Sequence, residues 1–451
     1  MRIIIVGGGV VGFSLAEHLL RDGHNLSLVE LDQRLCQEIS EKLDLQIVNG
    51  SGSSPLALRA AGGEGADLVL AVTPNNEVNI VACSIASLYE VPGRIARLRG
   101  KEFSSGSEMI DLRRLGITAL IQPEYALADH IMQYMETPHA VEAANFENGR
   151  ILLRGYMVTE RMRLAGKTLR EIRAEIAPKV VLFAVIVRGG KGMIPGGDTT
   201  IKAGDTVFAL FPRDSIEVFL DLVGVERKSN RKVILTGDSF STLELAEALD
   251  RTEYKITLVD PSLEHARRAA AMFSRIEVLN GDCTEVDILR ELNVGAASFF
   301  IAASNQADYN VFSALLAKAE GAHEVIAVST ESHHDKLFNS IGIDHVVNPR
   351  LTTAREILQI ISRGHFGAVV PLANVDIDAV RFTVEESSEI AGRKVKQVAG
   401  KLKRGSIIGI VVRGDTMMLP DGETVIEPQD HVIMVTSHRN LRTLDNLFKR
   451  R

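Results

Sequence analysis

Residues 3–20, IIIVGGGVVGFSLAEHLL, and residues 233–250, VILTGDSFSTLELAEALD, follow one pattern, and this internal repeat constrains the fold more than any other feature of the chain. The correspondence continues in order. NLSLVE (25–30) matches KITLVD (255–260), VNGSG (48–52) matches LNGDC (279–283), and ADLVLAVTPNNEVN (66–79) matches ASFFIAASNQADYN (297–310). Further on, LAGKTLREI (164–172) answers IAGRKVKQV (390–398), and VLFAVIVRGGKGMIPGGDTTIKAGDTVFAL (181–210) answers SIIGIVVRGDTMMLPDGETVIEPQDHVIMV (406–435). The 451 residues therefore encode one design twice. A single core stops growing at roughly 250–300 residues, so several domains are expected.

Each copy divides in two. In the first part, β-branched runs alternate with helical stretches such as FSLAEHLLRDG and EVNIVACSIASLYE, the pattern of βαβ units around a parallel sheet. In the second part, shorter strands flank a turn at Ile194-Pro195-Gly196-Gly197-Asp198 or Leu419-Pro420-Asp421-Gly422-Glu423, the pattern of a small α+β module. The fold class is α/β: two Rossmann-like, doubly wound parallel-sheet domains, each followed by a small α+β module. The polar stretches ENGR (147–150) and VERKSNR (225–231) read as linkers.

Gly7-Gly8-Gly9-Val10-Val11-Gly12 follows the strand Ile3–Val6 and opens a helix, the setting that gives the G-x-G-x-x-G motif its meaning. Gly7 permits a tight turn, Gly9 lets the backbone approach a pyrophosphate, and Gly12 allows the helix to pack against the sheet, while the helix N-terminus offers free N–H groups to phosphate. Glu30 ends the next strand. An acid there accepts hydrogen bonds from ribose hydroxyls and repels a 2′-phosphate, which favours NAD or adenosine nucleotides over NADP. Ligands of open α/β sheets bind beyond the carboxyl ends of the strands, where Asn49-Gly50-Ser51-Gly52 and Thr73-Pro74-Asn75-Asn76 also fall; either segment reads equally as a polar loop. Arg97 and Arg99, after a further strand, have the reach for phosphates, although arginines at strand ends are usually solvated.

In the second copy the loop reads Gly237-Asp238-Ser239-Phe240-Ser241-Thr242, so Ser239 and Thr242 replace the second and third glycines and Asp238 brings a negative charge. A retained fold with a lost diphosphate site is the expectation. Asp260 keeps the ribose position of Glu30 and leaves a mononucleotide as the alternative.

Composition narrows the function classes. The formal net charge is −7 without a run of five like charges, which argues against a nucleic-acid partner. Cys36, Cys83 and Cys283 stand apart without ligand spacing, so neither a disulfide framework nor a zinc site is expected, and a reducing cytoplasm fits. The apolar run after Arg2 is too short for a signal peptide, and no charge-free stretch of about 18 residues is present to cross a bilayer.

The motifs IIIVGGGVVG, LVELDQR, NGSGS, AVTPNNEVN, QPEYALADHI and LAGKTL, with their second copies, make the chain resemble the regulator-of-potassium-conductance (RCK, or KTN) domains with their C-terminal companions, in the duplicated arrangement of Trk-type potassium-uptake regulatory subunits. The resemblance covers essentially the whole chain. It implies a first nucleotide-binding domain over 1–125, a C-terminal module over 140–224, a second Rossmann-like domain with a degenerate glycine motif over 230–350 and a second module over 366–451. It also implies NAD(H) or an adenine nucleotide (ADP or ATP) as ligand, with Gly7, Gly9, Gly12, Glu30, Asp32, Ser51, Thr73, Arg97 and Arg99 on the nucleotide positions. The implied partners are further copies of the chain, as a dimer or tetramer forming a ring, and a separate integral membrane subunit that conducts potassium. The chain would then be cytoplasmic, held peripherally at the inner membrane through that partner.

The alternative is a nicotinamide-dependent oxidoreductase, which would need a poised proton donor in a separate substrate domain. None of the 12 histidines forms such a constellation, and His333-His334-Asp335, the one cluster, reads as a surface loop. No catalytic residue and no metal site are expected.

Overall fold

The computed structural model describes residues 1–103, 111–225, 231–237, 239–329, 338, 341–363, 369–372, 375–402 and 405–448. Asp238 and the His333-His334-Asp335 cluster lie outside the described residues. The chain forms two compact units, Met1–Ile131 with Asn230–Leu358 and Met132–Ser229 with Gln359–Arg451.

In the first unit, strands β1 (Arg2–Val6), β2 (Asn25–Glu30), β3 (Gln46–Asn49), β4 (Leu68–Ala71), β5 (Gly93–Arg97) and β6 (Ala119–Ile121) make a six-stranded sheet in the order β3-β2-β1-β4-β5-β6. Every pairing is parallel. Helices α1 (Val10–Arg21), α2 (Gln33–Lys42), α3 (Pro55–Ala60), α4 (Asn76–Leu88) and α5 (Pro123–Glu136) connect or follow the strands. The order reverses between β1 and β4, and a switch point of this kind opens a crevice at the carboxyl edge of the sheet. The central strands are apolar throughout because both faces are covered: Ile3, Ile4, Ile5 and Val6 are at most 2% exposed. Each such side chain contributes about 2 kcal/mol of burial free energy.

The second copy repeats the sheet with β12 (Lys232–Thr236), β13 (Lys255–Asp260), β14 (Glu277–Asn280), β15 (Phe299–Ala302), β16 (Glu324–Val328) and β17 (His345–Val347), again parallel and in the same order. The two Rossmann-like domains expected from the repeat are present.

The second unit holds two five-stranded sheets. The first, in the order β10-β9-β11-β8-β7, consists of β7 (Glu142–Phe146), β8 (Ile151–Met157), β9 (Leu182–Arg188), β10 (Lys191–Met193) and β11 (Thr206–Pro212). The second, in the order β18-β19-β22-β20-β21, consists of β18 (Val369–Pro371), β19 (Ile377–Thr383), β20 (Ser406–Arg413), β21 (Thr416–Met418) and β22 (His431–Ser437). All pairings are antiparallel. The two modules share one apolar core in which Phe146, Leu153, Val185 and Leu210 pack with Ile377, Ile410, Ile433 and Val435. ENGR is not a linker. Its first three residues form the tight turn between β7 and β8, built on positive φ at Glu147, Asn148 and Gly149.

Arg154 of β8 is fully buried and satisfies its guanidinium on the Ala144 and Leu153 carbonyls, the Asn145 side chain, the Thr137 hydroxyl and the Glu136 carboxylate at 3.0 Å. A buried cation is tolerated only with such partners.

Candidate nucleotide site in the first Rossmann-like domain

Three glycines of the loop after β1 serve different masters. Gly7 sits at φ +104, and a Cβ there would lie 3.0–3.2 Å from Thr73, so the first glycine brings the end of β1 against the end of β4. At Gly12 an added Cβ would overlap the Gly7 carbonyl oxygen. Gly9, by contrast, has an ordinary extended backbone (φ −60, ψ −173), and a Cβ on it meets nothing within 4 Å. The fold has no need of glycine at position 9, and the space in front of it is open.

Gly9 is the N-cap of α1, and no side chain caps it. The first turn carries no acid, so the helix start keeps unsatisfied N–H groups and a positive dipole end facing the crevice. Gly8 donates its N–H to Glu30 Oε2 at 2.5 Å, and Asp32 donates its N–H to Oε1 at 2.8 Å, which holds the Glu30 carboxylate at the mouth of the loop. The other residues of the motif divide between fold and site. Val11 is 4% exposed and belongs to the core, Val10 is exposed, and Asp32 caps α2 by accepting from the Arg34 and Leu35 N–H groups.

Gly52 is buried against Val6 and Val78, and Ser51 pairs with the Ser53 hydroxyl at 2.8 Å. Thr73 is half-buried beside the exposed Pro74. Asn79, which the motif reading did not single out, organises this edge. It is fully buried, accepts from the Thr73 N–H and hydroxyl, and donates to the carbonyls of Thr73 and Arg97. The signal was there in the repeat, because Asn310 makes the corresponding bonds to Ser304 and Val328. Asn76 binds Arg99 through both backbone groups, at 2.9 and 2.8 Å. Replacing Asn79 by alanine strands these backbone groups and is expected to cost about 3 kcal/mol in urea denaturation; a loss under about 0.5 kcal/mol would mean the loop holds itself.

Arg97 is 9% exposed, and its Nε is buried without a hydrogen-bond partner. Burial above all, then the like charges of Arg99 and Arg350, push its pKa down to about 10, against the upward pull of Glu124. Arg350 belongs to the second copy, so both Rossmann-like domains raise the positive potential here. Arg99 is exposed and lies 3.4 Å from Glu124 Oε1; the other oxygen of Glu124 is buried and unpartnered. Burial pushes the Glu124 carboxyl up, while its own backbone contact and Arg99 pull it down.

The second copy closes the corresponding crevice with its own side chains. Ser239 caps the helix Phe240–Asp250 by accepting the Thr242 N–H, and the Ser239 and Thr242 hydroxyls both bond the Ala303 carbonyl at 2.7 Å. Where the first copy has Val6, Gly52 and Val78, the second has Thr236, Cys283 and Tyr309. Tyr309 pairs with the Thr236 hydroxyl at 3.0 Å and accepts the Cys283 N–H at 3.2 Å. Burial drives both the thiol and the phenol up to about 12. Asp260 is 3% exposed and accepts the Ser262 N–H at 2.7 Å, the bond that Glu30 makes to the Asp32 N–H in the first copy. The Ser239 and Thr242 hydroxyls and the Thr242 N–H are therefore already engaged, by each other and by the Ala303 carbonyl.

Among the described residues no group of three or more His, Cys, Asp or Glu side chains could hold a metal ion, and no helix is long and apolar enough to cross a membrane.

Family comparison accounts for the same division of the chain. TrkA-N domains match residues 3–123 and 233–349, and TrkA-C domains match residues 153–224 and 379–449. The Trk system potassium uptake protein TrkA of Halomonas elongata is 33% identical over 455 residues, covering 100% of this chain and 99% of its own. The protein of the same name from Azorhizobium caulinodans is 30% identical over 454 residues, with 100% and 99% coverage. Among solved structures, the GsuK RCK domain superposes with a TM-score of 0.60 at 18% identity, over 99% of this chain and 94% of that one. The GsuK channel bound to NAD gives 0.61 at 18% identity, over 99% and 78%. At that identity the likeness is one of fold.

Proposed function

The chain belongs to the TrkA family of potassium-uptake proteins, with both family domains present twice, and from that premise we propose that it is the nucleotide-binding regulatory subunit of a Trk-type potassium uptake system. The observation that carries the nucleotide reading is Arg97, a guanidinium nine-tenths buried at the carboxyl edge of the sheet with an unpartnered Nε. A buried donor without an acceptor is costly, and beside two further arginines Glu124 offsets the charge only in part; a phosphate group over the crevice supplies an acceptor and more negative charge. The uncapped start of α1 holds the pyrophosphate, and Glu30 receives the ribose hydroxyls. Asp32 stands next to Glu30, while Ser51, Gly52, Thr73 and Pro74 form the neighbouring rim. NAD(H), ADP and ATP all carry the unphosphorylated ribose that Glu30 accepts.

Regulation follows from differential binding. A ligand that fits one arrangement of a homo-oligomeric ring better than another shifts the population, and a separate membrane subunit that conducts potassium follows that shift. The protein then works on the cytoplasmic face of the membrane without entering it. The oxidoreductase alternative has less support, because the polar side chains of Thr73 and Asn79 at the crevice are engaged in holding the loops and Glu30 takes the ribose in this reading.

Calorimetric titration with NADH, NAD, ATP, ADP and NADPH tests the reading. Saturable binding is expected for the first four. NADPH should bind at least about 10-fold more weakly than NADH, since Glu30 repels its 2′-phosphate. Arg97→Gln should weaken binding by about 10-fold or more, the value of a charge-assisted contact of about 1.5–3 kcal/mol. Failure of all five to bind would sink the nucleotide mechanism.

A further inference from the structure

The two copies differ in charge where their last long helices begin. Helix α5 follows β6 and opens with Pro123-Glu124; the helix Pro349–Arg363 follows β17 in the same way and opens with Pro349-Arg350. A carboxylate in the first copy thus corresponds to a guanidinium in the second. Both helix starts lie in the compact unit that holds the two Rossmann-like domains. Two separate interactions bring the domains together here. Beyond the effect of burial, Arg97 feels the charge of Arg350, and Glu124 feels that of Glu244, a 3% exposed residue on the helix Phe240–Asp250. Arg350 is exposed, with its backbone N–H held by the Asn348 side chain at 3.0 Å, and among the described residues no carboxylate or carbonyl engages its guanidinium.

Granted the nucleotide reading above, we propose that Arg350 completes a terminal-phosphate subsite with Arg97 and Arg99, so that a nucleoside triphosphate bound in the first Rossmann-like domain is also held by the second. The sheet order places the pieces in a row. Glu30 ends β2, Gly9 follows β1, Thr73 follows β4 and Arg97 ends β5, in the order β2-β1-β4-β5. Two strand spacings, about 10 Å, separate β1 from β5. A ligand with its ribose at Glu30 and its first phosphates at Gly9 therefore directs the rest of its chain toward Arg97.

Three guanidiniums stand there with different needs. Arg97 keeps a buried Nε without an acceptor, Arg99 shares its charge with Glu124 at 3.4 Å, and Arg350 brings a further positive charge from the other domain. A terminal phosphate has the charge and the oxygens to accept from more than one planar guanidinium at once. AMP stops short of this place, and NAD(H) brings a nicotinamide riboside to it, with no negative charge for the arginines. The triphosphate then joins both domains where the other two ligands fill only one, which gives it the differential affinity that a change of domain arrangement requires.

Calorimetric titration of the full chain with ATP, AMP and NADH, on the native protein and on Arg350→Gln, tests the subsite. Native protein should bind ATP at least about 10-fold more tightly than AMP, and Arg350→Gln should remove about 10-fold from ATP affinity, the value of a charge-assisted contact. AMP and NADH should bind the variant as they bind the native chain. Arg350→Lys, which keeps the charge without the fork, should lose less. Hydrogen–deuterium exchange over 349–355 adds a readout on the second domain: ATP should slow it in the native protein, and AMP should not. ATP binding no tighter than AMP, unchanged ATP affinity in Arg350→Gln, or an equal loss for all three ligands would overturn the subsite and leave the nucleotide site standing. If the native chain binds none of the three, the nucleotide reading fails and the subsite with it.

Discussion

Gly9→Asp is expected to lower nucleotide affinity by more than about 100-fold while leaving the fold untouched. The structural half of this expectation follows from the space around Gly9. Its backbone lies in a region that any residue adopts, and a side chain there meets nothing within 4 Å. The binding half follows from electrostatics. A carboxylate at the mouth of α1 would compete for the helix N–H groups and stand about 4 Å from the pyrophosphate. Each like-charge pair at that distance costs about 4 kcal/mol at an effective dielectric of about 20. An affinity change of tenfold corresponds to about 1.4 kcal/mol, so 100-fold is a conservative figure. Calorimetry beside urea denaturation separates the two halves: unchanged stability with lost binding places the pyrophosphate at Gly9, whereas unchanged affinity would remove it from this loop.

Gly12→Ala should behave in the opposite way, with a loss of about 3 kcal/mol of stability in the first Rossmann-like domain. The new Cβ would overlap the Gly7 carbonyl oxygen, a backbone atom that cannot rotate aside. Moving it displaces Gly7, which lies close to Thr73 and sits at φ +104, a conformation that glycine adopts readily. Overpacking a rigid site typically costs 1–3 kcal/mol, and the upper end is expected where backbone must shift. Urea denaturation of the full chain should show the first domain's transition moved to lower denaturant; an unchanged profile would mean that α1 can slide away from the sheet at little cost. Two glycines three residues apart in one motif thus report on different things, one on the ligand and one on the fold.

Much of the architecture was legible because it rests on local periodicity and repetition. The buried strands Ile3–Val6 and Val233–Thr236, the helices after them and the order of segments repeat in both copies, and a parallel sheet follows from their alternation. The placement of the first-copy loop was legible for the same reason: Gly7, Gly9, Gly12 and Glu30 are neighbours along one βαβ unit, so their spacing carries their geometry. Asn79 escaped notice because its partners, Thr73 and Arg97, lie just past the end of β4 and at the end of β5, and only the sheet order brings β4 and β5 together at one edge.

The second copy shows where local reading stops. Ser239 and Thr242 announce a changed loop, but their replacement of the missing ligand contacts depends on the Ala303 carbonyl, 61 residues or more away along the chain. The joint exchange of Val6, Gly52 and Val78 for Thr236, Cys283 and Tyr309 is intelligible only when the three positions are seen in one crevice. ENGR is a plainer case. Four polar residues between two strands read as a linker, because nothing within the segment identifies Arg381, His431 or the hairpin at Gly414 as its partners.

The sequence by itself determined the duplication, the α/β class, and the glycine loop with the acid Glu30 at the end of the next strand, since each is written in residues close together in the chain. Tertiary structure alone decided that Arg97 is buried with Arg350 of the other copy nearby, that the second crevice is filled, and that Glu147 fastens one small module to the other. The reason is physical: burial, charge and hydrogen-bond satisfaction are properties of surroundings, and those surroundings come from segments up to 284 residues apart.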